Sequence, residues 1–252
     1  MIARLDIRFP NLIKTRNLEG VRVVGDPSQY AARYYDDGID EILFMDVVAS
    51  LYGRNSLTEL ISRVSSGVFC PLTVGGGVKS VGDAVALLRS GADKIALNTE
   101  ATKRPKLLTE MAMKLGNQAV VVQIDAKRNS GRWEAWCDGG RQPTGRDAVE
   151  WAIEACEMGA GEVLLTSIDR EGTRQGFDLD LIKEVSRVVK VPVVASGGMG
   201  SPQDAVLAIS AGADAVSAAH ILHYGDHTVW DIKNAMASLG IRVRLEPTLP
   251  RG

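Results

Sequence analysis

The sequence predicts a (β/α)₈ TIM barrel made of two similar half-barrels. The chain has 252 residues, a usual length for one such barrel. Short apolar runs alternate with helical patterns along the whole chain. The second half also repeats the first: residues 76–98 and 197–219 align without a gap, with nine of 23 positions identical and an offset of 121 residues.

Two further matches support this repeat. Residues 41–44 pair with 162–165 at the same offset, and Asp6 pairs with Asp125 at an offset of 119. Eight strands in two equivalent groups of four close most naturally as a barrel. An open doubly wound sheet is the alternative, and it explains the repeat less well because its edge and centre strands differ. We predict one domain over residues 1–252, with halves of about 1–118 and 119–245 and a tail at 246–252.

The predicted elements follow from apolar runs and capping residues. Aspartate or serine before proline marks two helix starts, at Asp26 and Ser201, and Asp147 marks a third. Strands are predicted at 3–7, 41–47, 72–74, 94–97, 119–124, 162–166, 191–195 and 215–217. Helices are predicted at 26–35, 56–65, 83–90, 106–115, 147–158, 179–189 and 202–211.

Composition excludes several classes of function. The net charge is −2, from 29 basic and 31 acidic residues, which argues against a broad nucleic-acid surface but not against a local anion site. Three cysteines without metal-ligand spacing favour a reducing compartment. No apolar run approaches the length of a membrane span. We therefore predict a cytoplasmic protein with no nucleic-acid or membrane partner.

Two glycine pairs mark candidate anion sites. The active site of such a barrel lies at the carboxyl ends of the strands. Gly76 and Gly77 follow the third strand, and Gly197 and Gly198 follow the seventh. Glycines there let backbone N–H groups approach an anion, although they also simply make tight turns. Two equivalent sites across the mouth suit a substrate with a phosphate at each end.

The candidate catalytic residues are Asp6 and Asp125. They end the first and fifth strands, so they face each other across an eight-stranded barrel. Opposed carboxylates can divide the general acid and general base roles. The alternative is that they cap helices or pair with a lysine such as Lys14 or Lys127. Asp46 and Ser167 end the second and sixth strands, with Thr166 just inside, and we assign them support and orientation. Thr166 is also a candidate substrate-binding residue.

Two other features are less specific. Residues 8–25 form a long first loop, which predicts either a lid over the mouth or a solvated surface loop. His220, His223 and His227 lie close together in sequence, but no acid or cysteine at a recognisable spacing completes a ligand set. We predict no metal site and no cofactor.

Several motifs together resemble the cyclase subunit of imidazole glycerol phosphate synthase. They include VGGGVKSVGDA, GADKIALNTEA, VVVQIDAKR, GAGEVLLTSIDREGT, VPVVASGGMG and GADAVSAAHILHYG, and the resemblance runs from Asp6 to about Arg244. It implies a barrel of the ribulose-phosphate-binding type. It also implies a lyase that combines ammonia from a glutaminase partner with a bisphosphorylated ribulosyl-aminoimidazole carboxamide ribotide. The products would be imidazole glycerol phosphate, for histidine biosynthesis, and an aminoimidazole carboxamide ribotide.

The resemblance also implies roles for individual residues. Asp6 and Asp125 match the catalytic acid–base pair, and Lys14 matches a retained substrate-site lysine. Gly77, Asn98 and Thr99 match one phosphate site, while Gly172, Gly198, Ala219 and His220 match the other. Glu41, Lys94 and Glu162 match a charged gate at the opposite mouth, where the partner of the heterodimer docks and ammonia enters.

The sequence departs from the family pattern near its start. The usual CLDVKDGRVVKG is RLDIRFPNLIKT, and Arg4 replaces a cysteine two positions before Asp6. Because side chains alternate along a strand, Arg4 and Asp6 should both point into the barrel. Arg4 could then pair with Asp6 or obstruct the ammonia path. Glu171 and His220 stand where aspartate and serine are usual.

Three alternatives to the cyclase remain. A paralogous barrel could pass ammonia to a separate sugar amidotransferase of surface-polysaccharide biosynthesis, and the altered first loop favours this. The related sugar-phosphate isomerase shares the half-barrel repeat, but the IDAKR and SIDREGT tracts fit the cyclase better. A non-catalytic binding barrel leaves the paired aspartates unexplained.

Overall fold

The computed structural model describes residues 1–16, 18–47 and 57–245. The strands are β1 (Ile2–Arg8), β2 (Asn11–Arg16), β3 (Glu19–Gly25), β4 (Glu41–Asp46), β5 (Leu72–Gly75), β6 (Lys94–Leu97), β7 (Val120–Asn129), β8 (Arg132–Cys137), β9 (Gln142–Asp147), β10 (Glu162–Ser167), β11 (Val193–Ser196) and β12 (Ala215–Ala218). Eight of them run parallel and close into a barrel in the order β1-β4-β5-β6-β7-β10-β11-β12, and β12 pairs back onto β1. The predicted TIM barrel is therefore confirmed.

Helices surround the barrel on its outer side. Each of the seven predicted helices is present within a few residues of its expected bounds, although residue 56 and the predicted tail at 246–252 lie outside the described residues. The helices are α1 (Pro27–Asp36), α2 (Leu57–Ser65), α3 (Val81–Arg89), α4 (Thr99–Lys103), α5 (Lys106–Leu115), α6 (Ala148–Glu157), α7 (Leu179–Ser186), α8 (Pro202–Ser210), α9 (His220–His223) and α10 (Val229–Ser238). None of them is long and apolar enough to cross a membrane.

The predicted caps explain where the helices start. The Asp26 side chain accepts hydrogen bonds from the backbone N–H groups of Ser28 and Gln29, and Asp147 does the same for α6. Ser201 opens α8 with a capping box. Thr228 forms the same motif with Asp231 at the start of α10, a helix that the sequence analysis missed.

Two β-hairpins extend the barrel at its carboxyl end. The first loop is not irregular: β2 pairs antiparallel with the end of β1, and β3 pairs with β2. A second hairpin, β8 with β9, continues from β7 and was not predicted. The two-residue turn that joins β7 to β8, at Ser130 and Gly131, has φ of 49° and 87°, as a type I′ turn requires.

The core has two parts that follow from the alternation of each strand. Outward-facing residues pack against the helices in one large apolar cluster. Inward-facing residues form a smaller apolar ring inside the barrel, made of Ile2, Leu43, Met45, Ala96, Val121, Leu164 and Val194. This ring lies between the charged residues at the amino-terminal ends of the strands and the polar residues at their carboxyl ends.

Candidate active site

Asp6 is buried at the carboxyl end of β1, and its carboxylate is held on one side only. Its Oδ1 accepts a hydrogen bond from Nε of Arg4 at 2.8 Å. Its Oδ2 is buried and has no hydrogen-bond partner among the described residues. A carboxylate with one anchored and one open oxygen is suited to exchange a proton with a substrate.

Asp125 is buried on β7, four strands from β1 in the barrel order. Both of its oxygens are occupied: Oδ1 accepts from Nε2 of Gln123 and Oδ2 from Nδ2 of Asn98, each at 2.8 Å. Burial raises the pKa of Asp125, although the charge of Arg4 and these two amides oppose the rise. A carboxyl group with a raised pKa is suited to donate a proton.

Arg4 lies across the barrel interior beneath these two acids. Its Nη1 donates to Oγ1 of Thr166 on β10 and to Oγ of Ser196 on β11, each at 3.1 Å. Burial alone would lower the pKa of Arg4, but neighbouring carboxylates, Asp6 foremost, raise it above its usual range. Arg4 therefore remains charged. Its predicted inward orientation is confirmed, and of the two expected consequences the pairing with Asp6 is observed. The alternative in which Asp6 pairs with a lysine is wrong, because the cation that pairs with Asp6 is Arg4.

One pocket lies beside Asp125. The residues predicted for one phosphate site, Gly77, Asn98 and Thr99, are brought together in its wall. The hydroxyl of Thr99 accepts a hydrogen bond from the backbone N–H of Asp138 at 3.0 Å, so it also anchors the second hairpin. Two cationic residues that were not predicted from the sequence also line this pocket, Lys79 and Arg141.

A second pocket lies on the other side of Arg4, which lines both pockets. Lys14 and Glu171 form a buried ion pair in its wall. Arg174 adds a cation that the sequence analysis did not single out. The remaining residues predicted for the other phosphate site also line this pocket: Gly172, Gly198, Ala219 and His220. The hydroxyl of Thr166 instead accepts a hydrogen bond from Arg4.

Glycine is required at both equivalent turns for steric reasons. Gly76 has φ of +98°, and a Cβ there would lie 2.2 Å from the carbonyl oxygen of Asp46. Gly198 has φ of +106°, and its Cβ would lie 2.2 Å from the carbonyl oxygen of Gly176. Because turn geometry alone explains these glycines, the case for anion binding depends on the cationic side chains beside them.

The first hairpin closes over the mouth of the barrel. Leu18 and Val21 line the pocket beside Asp125, and Lys14 lines the other pocket. A Cβ added to Gly140 in the second hairpin would lie 2.6 Å from Cδ1 of Leu18, so the two hairpins are in close contact. This position favours the lid interpretation of the first loop over a solvated surface loop.

A charged cluster lies at the opposite, amino-terminal mouth. Nζ of Lys94 lies 2.8 Å from Oε1 of Glu41 and 2.8 Å from Oε2 of Glu162. Thr73 donates from Oγ1 to Oε1 of Glu41 at 2.6 Å. Burial alone would lower the pKa of Lys94, but the two carboxylates raise it overall. The three residues predicted for the gate are thus in contact across the bore.

His223 and His220 lie in different environments. His223 is buried, and its Nδ1 lies 2.7 Å from the hydroxyl oxygen of Tyr34. His220 lies at the second pocket, where burial lowers its pKa. Across the described ranges, no group of three histidine, cysteine or acidic side chains is arranged to hold a metal ion.

Comparisons with known proteins agree with this architecture. Residues 1–228 match the family model described as histidine biosynthesis protein. The chain is 58% identical over 205 residues to the imidazole glycerol phosphate synthase subunit HisF of Legionella pneumophila, a match that covers 81% of this chain and 97% of that protein. It is 47% identical over 246 residues to the same subunit of Pyrococcus furiosus, with 98% of both chains covered. The chain therefore belongs to the histidine biosynthesis protein family and, within it, to the imidazole glycerol phosphate synthase HisF subunits.

Proposed function

We propose that this chain is the cyclase subunit of imidazole glycerol phosphate synthase, a lyase of histidine biosynthesis. It combines ammonia with a ribulosyl-aminoimidazole carboxamide ribotide that carries two phosphates. The products are imidazole glycerol phosphate, an aminoimidazole carboxamide ribotide and one molecule of water. Asp6 and Asp125 handle the protons of this reaction.

The observation that carries the proposal is a pair of buried aspartates beside two pockets: Asp125 lines one pocket, and Arg4, the partner of Asp6, lines both. Asp6 lies on β1 and Asp125 on β7, four strands apart in the barrel order. One pocket offers Lys79 and Arg141, and the other offers Lys14 and Arg174. A substrate with a phosphate at each end would place its central atoms over the acids.

The phosphates are the groups that the two pockets suit best. Phosphate binds preferentially to arginine, lysine and backbone N–H groups. The side-chain oxygen Oδ1 of Asn98 and the hydroxyl of Ser217 are buried in the pocket walls without a partner in the described part of the chain. These atoms are available to hydroxyl groups of the ribulosyl and ribosyl moieties.

The partner is a glutaminase subunit that docks at the amino-terminal mouth of the barrel, and the two form a heterodimer. The names of the relatives describe subunits of a synthase, so a complex is expected for those proteins. Here the ion cluster of Glu41, Lys94 and Glu162 lies at the entrance to the apolar ring. An apolar passage admits neutral ammonia but disfavours ammonium, because burial of an unpaired charge is costly.

An ammonia-delivering paralogue of sugar biosynthesis is the alternative activity. That role gives no use to the two buried aspartates or to the two cationic pockets. The arrangement of these groups therefore supports the cyclase better.

The test is turnover of the bisphosphate ribotide by the purified chain with excess ammonium chloride, without a glutaminase. We expect the ribotide to be consumed and imidazole glycerol phosphate to form, followed by absorbance and by chromatography of the products. Binding of the ribotide without any turnover would overturn the cyclase and favour the ammonia-delivering role.

A further inference from the structure

The two half-barrels place different donors beside equivalent aspartates. Arg4 lies two residues before Asp6, and Gln123 lies two residues before Asp125, so both pairs are related by the same offset of 119 residues. Each donor bonds to Oδ1 of its aspartate at 2.8 Å. One aspartate is thus held by a cation and the other by a neutral amide.

The surrounding charges do not cancel this difference. Lys14 is paired with Glu171, and the pKa of buried His223 is lowered to about 4 by its burial, so its imidazole is neutral at physiological pH. The charged and titratable groups around Asp6 are Arg4 on its own strand, Lys14 on β2, Asp125 on β7, Glu171 after β10 and His223 on α9. Among the described residues, Arg4 is the cation that contacts either aspartate.

Two buried carboxylates close to one cation favour a single negative charge. Arg4 interacts electrostatically with both Asp6 and Asp125, and the two aspartates interact with each other. Burial is the main cause that raises the pKa of Asp125, and the charge of Asp6 adds to it, so Asp125 is the carboxyl group that more readily keeps its proton. The direct contact with Arg4 favours the charge on Asp6.

We propose that Arg4 is a positioning residue that makes the two equivalent aspartates inequivalent, so that Asp6 accepts a proton and Asp125 donates one. This inference rests on the proposed cyclase function for its chemistry. The difference between the two carboxyl groups does not depend on the substrate, because it follows from the contacts of the free protein.

The proton transfers balance within the cyclisation. Ammonia first condenses with the ketone carbon of the ribulosyl group, and the ketone oxygen leaves as the one molecule of water. The nitrogen that ammonia supplied then forms a bond to the formimino carbon, and its proton goes to Oδ2 of Asp6, the oxygen without a partner among the described residues. The bond between that carbon and the nitrogen of the aminoimidazole ribotide breaks, and the leaving nitrogen takes its proton from Asp125. Exchange with solvent then returns both acids to their starting states.

The test variant is Arg4→Gln, which gives the first half-barrel the donor of the second. Glutamine fits this role geometrically, since Gln123 bonds to the aspartate two residues later. Arg4→Lys is the matched control, because it keeps the charge. Thermal unfolding of both variants establishes that they are folded before any comparison is made.

Two readouts are measured on the wild type and both variants. The first is the pH dependence of kcat with the ribotide and ammonium chloride. The second is the ¹³C NMR titration of the side-chain carboxyl carbons in ¹³C-aspartate-labelled protein without substrate. Asp6→Asn and Asp125→Asn identify the two signals.

In the wild type we expect the two carboxyl signals to titrate at separate pH values. In Arg4→Gln the separation should shrink by about one pH unit or more, and the plot of kcat against pH should become narrower. Arg4→Lys should keep most of the separation. Unchanged titrations and an unchanged profile in Arg4→Gln would overturn the inference. If the wild type shows no turnover, the proposed function fails, and the carboxyl titrations still decide whether Arg4 separates the two acids.

Discussion

Nδ2 of Asn98 lies 2.8 Å from Oδ2 of Asp125, and the same asparagine lines the pocket that we assign to one phosphate. One side chain thus contacts both a candidate proton donor and a candidate binding site. Substitution of Asn98 should therefore affect both the protonation of Asp125 and the affinity for the substrate.

Asn98→Ala should move the basic limb of the kcat–pH profile to higher pH. The amide of Asn98 stabilises the ionised carboxylate, so its loss raises the pKa of Asp125 further and keeps the donor protonated to higher pH. A hydrogen bond to a charged group is worth about 1.5–3 kcal/mol, which corresponds to a shift of roughly one pH unit or more. Asn129→Ala, at the exposed end of β7, is the control. A basic limb that stays in place would contradict the role of Asp125 as donor.

Lys14→Met should weaken phosphate binding. It removes a cation from the second pocket and leaves Glu171 buried without its ion-pair partner. We expect the Kd for inorganic phosphate and the KM for the ribotide to rise roughly 10- to 100-fold, because a charge-assisted hydrogen bond is worth about 1.5–3 kcal/mol. Isothermal titration calorimetry measures the first quantity. The exposed Lys190→Met is the matched substitution, and equal affinities in both variants would remove Lys14 from the site.

Lys94→Ala should impair glutamine-dependent turnover more than ammonium-dependent turnover. Lys94 holds Glu41 and Glu162 together at the amino-terminal mouth, far from the aspartates at the other end of the strands. The ratio of the two rates, measured with a glutaminase subunit that binds the wild-type chain, isolates this effect from any loss of stability. Lys114→Ala on α5 provides the comparison. Equal losses in both assays would argue against the gate.

His223 should make the protein less stable in mild acid. Burial lowers the pKa of His223 to about 4, below its unfolded value, so the unfolded chain binds more protons between about pH 6.5 and 4. The free energy of unfolding should fall as the pH is lowered through this window, by on the order of 2–3 kcal/mol.

Denaturant unfolding of His223→Asn checks this prediction, because the variant cannot titrate at this position. We expect a flatter dependence of stability on pH than in the wild type. His227→Asn removes a partly exposed imidazole, and this variant should keep the wild-type dependence of stability on pH. The same slope in both variants would assign the acid sensitivity to other groups.

Much of the barrel could be predicted because its repeat carries strong local signals. The apolar runs before Asp6, Asp46 and Asp125 fixed strands whose order follows from the architecture. The capping residues Asp26 and Ser201 gave two helix starts correctly. The α10 helix was missed although Thr228 and Asp231 carry a capping signal at its start.

The hairpins could not be predicted as easily, because their stability comes from tertiary contacts. Leu18 of the first hairpin meets Gly140 of the second, a contact between residues far apart in sequence. The Ser130–Gly131 turn was a detectable signal that was overlooked. The alternation of side chains along a strand correctly predicted that Arg4 and Asp6 point to the same side. The same reasoning would have predicted Gln123 beside Asp125.

Side-chain contacts between residues far apart in the chain could not be predicted from the sequence. Alternation along β1 says that Arg4 points inward, but not that it reaches Thr166 and Ser196 on other strands. Likewise, the sequence placed Lys14 over the mouth without its partner Glu171. Such pairings depend on side-chain length and on the diameter of the barrel.

The most direct test of the account is ammonium-dependent turnover of the bisphosphate ribotide by the wild type, Asp6→Asn and Asp125→Asn. Asp180→Asn, an exposed aspartate on α7, is the control for the substitution itself. We predict cyclisation by the wild type and by Asp180→Asn, with a loss of at least about 100-fold in kcat for the other two variants, the usual contribution of a general acid or base. Undiminished turnover in a folded Asp6→Asn or Asp125→Asn protein would contradict it.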